Sequence, residues 1–452
     1  MKEMDENTAT IVELIQTTNL IDRPDLLALA KVAFIDYVAS TLAASKEPKV
    51  VATAQQLATR KRVAHNRKLI GQPYEAAPEY AAFFNGFCSH YLDYDDAQAN
   101  IAGHFSTVLF SVLLSVAKPT DMVLDILTAY VVGAELEGLL GAYLNPQHKL
   151  VGWHSTGTIG PLGGAAALAK LAKLTASETA QLLSLAGTQS AGMAFQAGSD
   201  TKPLHAGLAA RNAVFAFWLL QETKLTANQN VFNNETGWLK TLGAVDIEPT
   251  QLQSQWLQPG QIKEPGLWMK LHPYCSAAIC GASACEKIRK QYLVPRGYSW
   301  ADIERVTFHF PPKADTALRY SAPQSGQEGR FSMEFVGWQM LALGHIEDDL
   351  FKQASVPEGF VESLQAGRFC RKHDLPEVAK DVRITKVTVQ VKDGQEFSYM
   401  ETAPLGSPAN PFTADILSIK LANATSTKMS ETLLAVMKDW PQGTMAEILK
   451  LL

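Results

Sequence analysis

Gly152-Trp153-His154-Ser155-Thr156-Gly157 runs on through Gly160, Gly163 and Gly164 into the alanine-rich stretch 165–169. Residues this small, at spacings of three and four, let a helix axis approach its neighbours closely, the signature of a compact helical bundle. No strand precedes the stretch and the G-x-G-x-x-G spacing is absent, which excludes a dinucleotide fingerprint. What it offers instead is a helix N-terminus whose N–H groups suit a carboxylate. Packing accounts for the glycines. His154, at the mouth of this helix, stays open between packing and chemistry.

The same pattern extends on both sides up to about residue 240. Asp22 before Pro24 reads as an N-cap with proline in the first turn, followed by Leu26, Leu29, Ala30, Ala33, Tyr37 and Leu42 at helical spacing. Thr120 is expected to cap a run carrying Met122, Ile126, Ala129, Tyr130 and Gly133 on one face. Thr175 with Glu178 forms a capping-box pair for 176–187, and Thr226 with Gln229 repeats the device.

Composition bounds the function. The chain has 452 residues, 47% apolar and 19% charged, so it can bury a large core and spread it over two or three domains. Forty basic against 45 acidic residues give a net charge of −5, without the concentrated basic surface of a nucleic-acid binder. Five cysteines make no disulfide framework. Met1–Thr8 is polar and acidic where a secretory signal is basic and then apolar, and Asp125 interrupts the most apolar region, 122–134. A cytoplasmic protein without a membrane span is expected.

Near residue 300 the period changes from helical to two. Val306, Phe308 and Phe310 alternate with Thr307 and His309, and Val382, Ile384, Val387, Val389 and Val391 end at the turn pair Asp393-Gly394, which predicts a hairpin into 396–400. Helical segments begin near Ser332 and Glu347, and the tail from Asp415 returns to helix with Leu433, Met437 and Trp440 on one face. The expected architecture is mainly α: an all-helical domain over 1–268, completed by 403–452, and a smaller α+β domain over 269–402.

Five constellations carry candidate chemistry. Asn85-Gly86, His90, Asp93-Tyr94-Asp95-Asp96 and His104-Phe105-Ser106 place three carboxylates and two imidazoles in 22 residues. The charge run alone reads as a solvated acidic loop, but Asp93 can orient an imidazole and His104, near a helix start, can move a proton. His154 is the second. In the third, Lys202-Pro203-Leu204-His205-Ala206-Gly207, the proline is expected to hold Lys202 in extended geometry before a helix over 206–221. The fourth is Lys270-Leu271-His272-Pro273-Tyr274-Cys275, before a small-residue helix over 276–288. Its cysteines 275, 280 and 285 advance about 140° per step on a helix and cannot face one cluster. Arg319-Tyr320 with Arg330-Phe331-Ser332 suits carboxylate recognition. Arg60-Lys61-Arg62 with Arg67-Lys68 reads as a solvated connector. Nucleophile elbow, P-loop, H-E-x-x-H and paired C-x-x-C are all missing, and three lysine or arginine groups with several histidines and no cofactor motif point to an anionic substrate and proton-transfer chemistry.

In this order, N-G…H-x-x-D-x-D-D…H-x-S, G-W-H-x-T-G, K-P-L-H-x-G and K-x-x-P-x-C, extended by Arg330-Phe331-Ser332, the segments resemble the MmgE/PrpD family of 2-methylcitrate dehydratases and cis-aconitate decarboxylases, which includes iminodisuccinate epimerase. The resemblance implies a helical domain holding most of the site, a smaller α+β lid domain, a homodimer, a small polycarboxylate substrate, and no metal or organic cofactor. It carries over Asp93, His104, His154, Lys202 and Lys270 as catalytic residues and Cys275, Tyr320, His205 and Arg319 as substrate-binding ones. Ala97 stands where the family often has threonine, Phe105 where it has proline, and Cys275 where the decarboxylase branch tends to have histidine.

The expected activity is a cofactor-independent lyase acting by proton abstraction beside a carboxylate, 2-methylcitrate dehydratase-like, with decarboxylase and epimerase as alternatives. The lysines would hold substrate carboxylates, His104 and His154 would serve as base and acid, and Asp93 would fix a tautomer. A non-catalytic polycarboxylate-binding helical protein is the reading from another class.

Overall fold

The computed structural model describes residues 4–60, 65–379, 382–438 and 442–452. The chain divides into two compact units: Met1–Phe195, Thr201–Leu267 and Thr413–Leu452 make the larger, and Gln196–Asp200 with Trp268–Phe412 make the smaller.

The larger unit is helical. Helix Val123–Leu144 is buried along most of its length, as a helix surrounded on all sides must be. Helix Ser155–Leu171 lies against it because its glycines leave room: a Cβ on Gly163 would fall 2.3 Å from Glu137 Cγ, and one on Gly133 would fall 2.8 Å from the Gly163 carbonyl oxygen. Phe34, Phe110 and Tyr130 form the aromatic heart, with Phe110 edge-on to Phe34 at 5.1 Å and stacked on Tyr130 at 4.2 Å.

Helix Pro24–Ala44 corrects the expectation that no segment has the length and composition of a membrane span, since this one has both. Within the protein, however, 61% of that apolar window is buried. The helix also carries Asp36, fully buried and paired with Lys420 at 2.6 Å, whose ammonium sits 3.9 Å over the Tyr94 ring. A core helix with a buried ion pair is the better description.

The capping box at Thr175 and Glu178 forms as read, opening Ala176–Gly187. Three other expected caps do not. Arg23, not Asp22, precedes Pro24, and its guanidinium binds Asp25 and the carbonyls of Leu257 and Pro259 instead. Met122 precedes Val123 in the place given to Thr120. Residues around Thr226 form no helix. A local cap motif thus loses wherever tertiary partners or chain direction decide otherwise. Helix Ala414–Ala424 opens the C-terminal return, capped by Thr413, and Leu433 and Met437 are buried; Trp440 lies outside the described residues, as does part of the basic run at 61–64.

The smaller unit has a four-stranded sheet in the order Phe369–Lys372, Ile303–His309, Thr385–Val391, Glu396–Glu401. The hairpin of the last two strands is the one read from Asp393-Gly394, with Gly394 at φ 91°. Phe369–Lys372, parallel to Ile303–His309, was invisible to alternation because it is only four residues long and ends in Arg371 and Lys372. Ser332 caps Met333–Trp338, Glu347 leads only a short 3₁₀ turn, Asp348–Lys352, and the segment after Cys275 is a 3₁₀ turn, Ser276–Ala278, followed by helix Ile279–Ile288.

Candidate active site

Four segments of the larger unit converge. Helix Pro78–His90 delivers His90 at its last turn, and the loop behind it bears Asp93, Asp95 and Asp96. His104 precedes helix Ser106–Val116, His154 is the N-cap of Ser155–Leu171, and Lys202 and His205 lie one turn apart at the start of Thr201–Trp218. Lys202 is therefore helical rather than extended as expected. Pro203 falls in the first turn, where a missing N–H costs nothing.

The crossing of two of these helices sets the key distances. Gly86 and Gly207 face each other's helix: a Cβ on Gly207 would stand 2.5 Å from the Phe83 carbonyl oxygen, and one on Gly86 would stand 3.0 Å from that of Ala206. That close approach brings Lys202 Nζ to 2.9 Å from His90 Nε2 and 2.6 Å from Asp93 Oδ1.

The acidic run is not the solvated loop its charge suggested. Asp93, Asp95 and Asp96 are 4%, 0% and 0% exposed. Asp93 holds φ 53°, a left-handed conformation that Asp tolerates better than most residues, and turns its carboxylate to Lys202. Asp95 receives His90 Nδ1 at 2.9 Å on each oxygen and His104 Nδ1 at 3.2 Å. Asp96 accepts from the Ser106 hydroxyl, which also contacts the Tyr130 hydroxyl at 2.9 Å. The carboxylate that meets the imidazole Nδ1 atoms is thus Asp95, while Asp93, expected to orient an imidazole, is 3.7 Å from His104 Nε2.

Proton placement follows. Burial depresses the His90 imidazole to about 3, against the pull of Asp95 and with help from the Lys202 cation. His90 is therefore neutral, donates Nδ1–H to Asp95 and accepts from the Lys202 ammonium at Nε2. Burial by itself would raise Asp95, but His104 and His90 hold it well below the usual carboxylate range. His104 Nδ1 faces both Asp95 and the Asp96 carbonyl, two acceptors, so Nδ1 bears the hydrogen and Nε2 is the basic atom of that ring. Asp96 is raised to about 7 by burial and by Asp36.

His154 and His205 meet Nδ1 to Nδ1 at 3.0 Å. Burial and the Lys202 charge lower both, His154 far below an ordinary imidazole. Two neutral rings sharing one hydrogen must hold opposite tautomers, one presenting a basic Nε2 and the other an Nε2–H. His90 stacks near His154 with ring centres 6.0 Å apart and lies 4.3 Å from His104. The result is a cluster of four imidazoles around one ammonium, three of them, His90, His154 and His205, held toward the neutral form, a poised acid–base set.

His90, Asp93, Asp95 and His104 offer ligand atoms within 4.8 Å of one another, a donor set that suits a divalent cation. Lys202 already supplies positive charge to His90 and Asp93 there, so a metal would have to displace its ammonium.

Of the expected residues, Asp93, His104, His154, Lys202 and His205 come together in the larger unit. Lys270, Cys275, Tyr320 and Arg319 belong to the smaller unit. There Lys270 and Cys275 are 2% and 7% exposed, the Tyr320 hydroxyl donates to the Ala197 carbonyl at 3.2 Å, and Arg319 is exposed to solvent. Exposure weakens the binding role expected for Arg319, since a solvated guanidinium gains little from one more anion. His90 and Asp95 were not assigned from sequence. The H-x-x-D-x-D spacing contained both, without a sign of which aspartate turns back.

Among known proteins, the model of the MmgE/PrpD N-terminal domain matches residues 7–249. Cis-aconitate decarboxylase of Homo sapiens is 26% identical over 385 residues, covering 82% of this chain and 78% of that protein. The Mus musculus enzyme of the same name is 27% identical over 375 residues, with 80% and 75% covered. A cis-aconitate decarboxylase-like protein of Aspergillus oryzae is 24% identical over 364 residues, with 75% and 74% covered.

Proposed function

The chain belongs to the MmgE/PrpD family, and from that premise we propose that it is a lyase acting on a small tricarboxylic acid by moving a proton beside a carboxylate. The observation that carries this reading is the buried set of imidazoles, His90, His104, His154 and His205, gathered about the Lys202 ammonium, with burial holding His90 and His154 neutral. The cationic lysine favours charge developing on the substrate in a site with little water, where it is worth most. The imidazoles then differ in task by tautomer.

The names of the relatives favour decarboxylation of cis-aconitate. In that reaction the bond to one carboxylate breaks and carbon dioxide leaves. The electron pair passes through the adjacent double bond, whose far carbon takes a proton from the Nε2–H of the His154–His205 pair. A second reading, dehydration of a 2-methylcitrate-like acid, is favoured by Cys275 standing where the decarboxylase branch tends to place histidine. There His104 Nε2 removes a proton next to a carboxylate, and the neighbouring hydroxyl leaves as water after protonation by the histidine pair.

Incubation with cis-aconitate and, separately, 2-methylcitrate in heavy water, followed by proton and carbon NMR, tests this directly. Loss of one carboxylate with a single deuterium in the product is the expected result. An unsaturated product keeping all three carboxylates selects dehydration instead, and no change in either acid contradicts the lyase reading.

A further inference from the structure

In the larger unit, helix Ala414–Ala424 lies against helix Pro24–Ala44, and at that contact Lys420 is 0% exposed. Asp36, on the facing helix and equally buried, pairs with its ammonium at 2.6 Å. That pair alone would balance the charge, yet the ammonium reaches further. It donates a second hydrogen bond, at 2.9 Å, to the backbone carbonyl of Tyr94 and stands 3.9 Å over the Tyr94 ring. A charge-assisted bond to a carbonyl is stronger in a dry interior than in water. The ring face beneath adds a cation–π contact that holds the side chain of the same residue.

Tyr94 sits between Asp93 and Asp95 in the loop that supplies the site. The carbonyl held by Lys420 belongs to the peptide joining Tyr94 to Asp95, whose oxygens meet His90 and His104. On the other side of Tyr94, Asp93 holds φ 53° and its carboxylate meets Lys202 at 2.6 Å. Two ammonium groups from distant parts of the chain thus bracket the turn, Lys202 on the Asp93 side chain and Lys420 on the backbone one residue later. A left-handed residue other than glycine persists where surrounding contacts hold it. Asp36 also lies close enough to Asp96 to raise its carboxyl, so without Lys420 an uncompensated carboxylate would act on the loop.

We infer that Lys420 is a positioning residue of the candidate active site: paired with Asp36, it holds the Tyr94–Asp95 peptide and so sets where Asp95 meets the two imidazoles. The inference rests on the lyase reading for its effect on turnover, and on the geometry of the loop for the placement of Asp95. Neither Lys420 nor Asp36 belongs to any motif read from the sequence.

Lys420→Met strands Asp36 without its cation and is expected to melt well below the wild type. Adding Asp36→Val removes the second charge, and the double variant is expected to melt close to the wild type again. Its kcat on cis-aconitate is nevertheless expected to stay at least about tenfold low, with KM changed by less than about threefold. Tricarballylate, a saturated tricarboxylate with no double bond or hydroxyl to react, is expected to bind it as it binds the wild type in a calorimetric titration. The Nδ1–H protons of His90 and His104, facing Asp95, are expected far downfield in the wild-type proton NMR spectrum and shifted or lost in the double variant. A pair that merely holds the fold recovers stability, turnover and spectrum together, and that result overturns the inference while the lyase reading stands. Should the double variant not fold, Tyr94→Leu keeps both charges and removes the ring beneath the ammonium. It is expected to lower kcat several-fold, and an unchanged kcat and spectrum overturn the inference as well. If the wild type turns over no acid, the lyase reading fails and the downfield protons decide alone. Moved in the folded variant, they uphold the placement by Lys420; unmoved, they overturn it.

Discussion

Asp95 is the residue on which the proton assignments turn. Its two oxygens take His90 and His104 through their Nδ1 atoms, and the Lys202 ammonium faces His90 from the opposite side. In Asp95→Asn an amide N–H₂ would confront one of those Nδ1–H groups. His90 would answer by moving its hydrogen to Nε2, where it meets the lysine at 2.9 Å, donor against donor. Turnover of Asp95→Asn is therefore expected to fall on the order of 100-fold or more, with KM shifted by less than about tenfold. Steady-state kinetics check this, and an unchanged kcat removes Asp95 from the mechanism. The chain partly disclosed this residue: three aspartates in four positions marked the place. Nothing local could tell that Lys202, 109 residues beyond Asp93, would supply the cation that lets the run be buried. Charge repulsion read along the chain says exposure, and a distant partner reverses the sign.

At the scale of elements, the features legible in advance were those written in short-range chemistry. The run read from Val382 to Val391, which pairs as a strand over Thr385–Val391, the Asp-Gly turn and the Thr175–Glu178 box each need only neighbours a few residues away, and each formed. The strand Phe369–Lys372 was missed because it is only half-buried and is held by pairing with Ile303–His309, not by an apolar pattern of its own. The glycine positions, in contrast, were visible but their partners were not. Gly207 and Gly86 allow two helices to touch through backbone alone, which sets the distance from Lys202 to His90. Gly207→Ala inserts a methyl where the Phe83 carbonyl oxygen would be 2.5 Å away, so the helices must part. A loss of about 1–3 kcal/mol in denaturant unfolding is expected, with activity reduced beyond what the lost folded fraction explains. Full activity in this variant would separate the helix crossing from the chemistry.

Across the whole molecule, the larger unit stores several carboxyls away from water. Glu137 is the extreme case: both oxygens are sealed without a hydrogen-bond partner, and burial holds its carboxyl well above the ordinary 4.5. A carboxyl whose folded pKa is raised contributes stability that is fully present below the unfolded value. That contribution is lost as pH climbs toward the folded value. Between pH 5 and 8 the wild type is expected to lose stability relative to Glu137→Gln, by no more than about 1.4 kcal/mol per pH unit. Urea unfolding at the two ends of that range measures it, and a constant gap contradicts a neutral buried Glu137. His90 and His154 act in the opposite sense, since lowered imidazoles add stability above an ordinary imidazole pKa that is lost as pH falls. His90 and His154 thus stay neutral where an exposed imidazole would begin to charge. Whether that neutrality serves proton transfer is answered most directly by following deuterium from heavy water into cis-aconitate or its product, by NMR, with wild type and with His104→Asn and His154→Asn. Incorporation at one carbon by the wild type, and its loss in at least one variant that still binds tricarballylate, is the expected result. Equal incorporation by all three proteins, or none by the wild type, contradicts it.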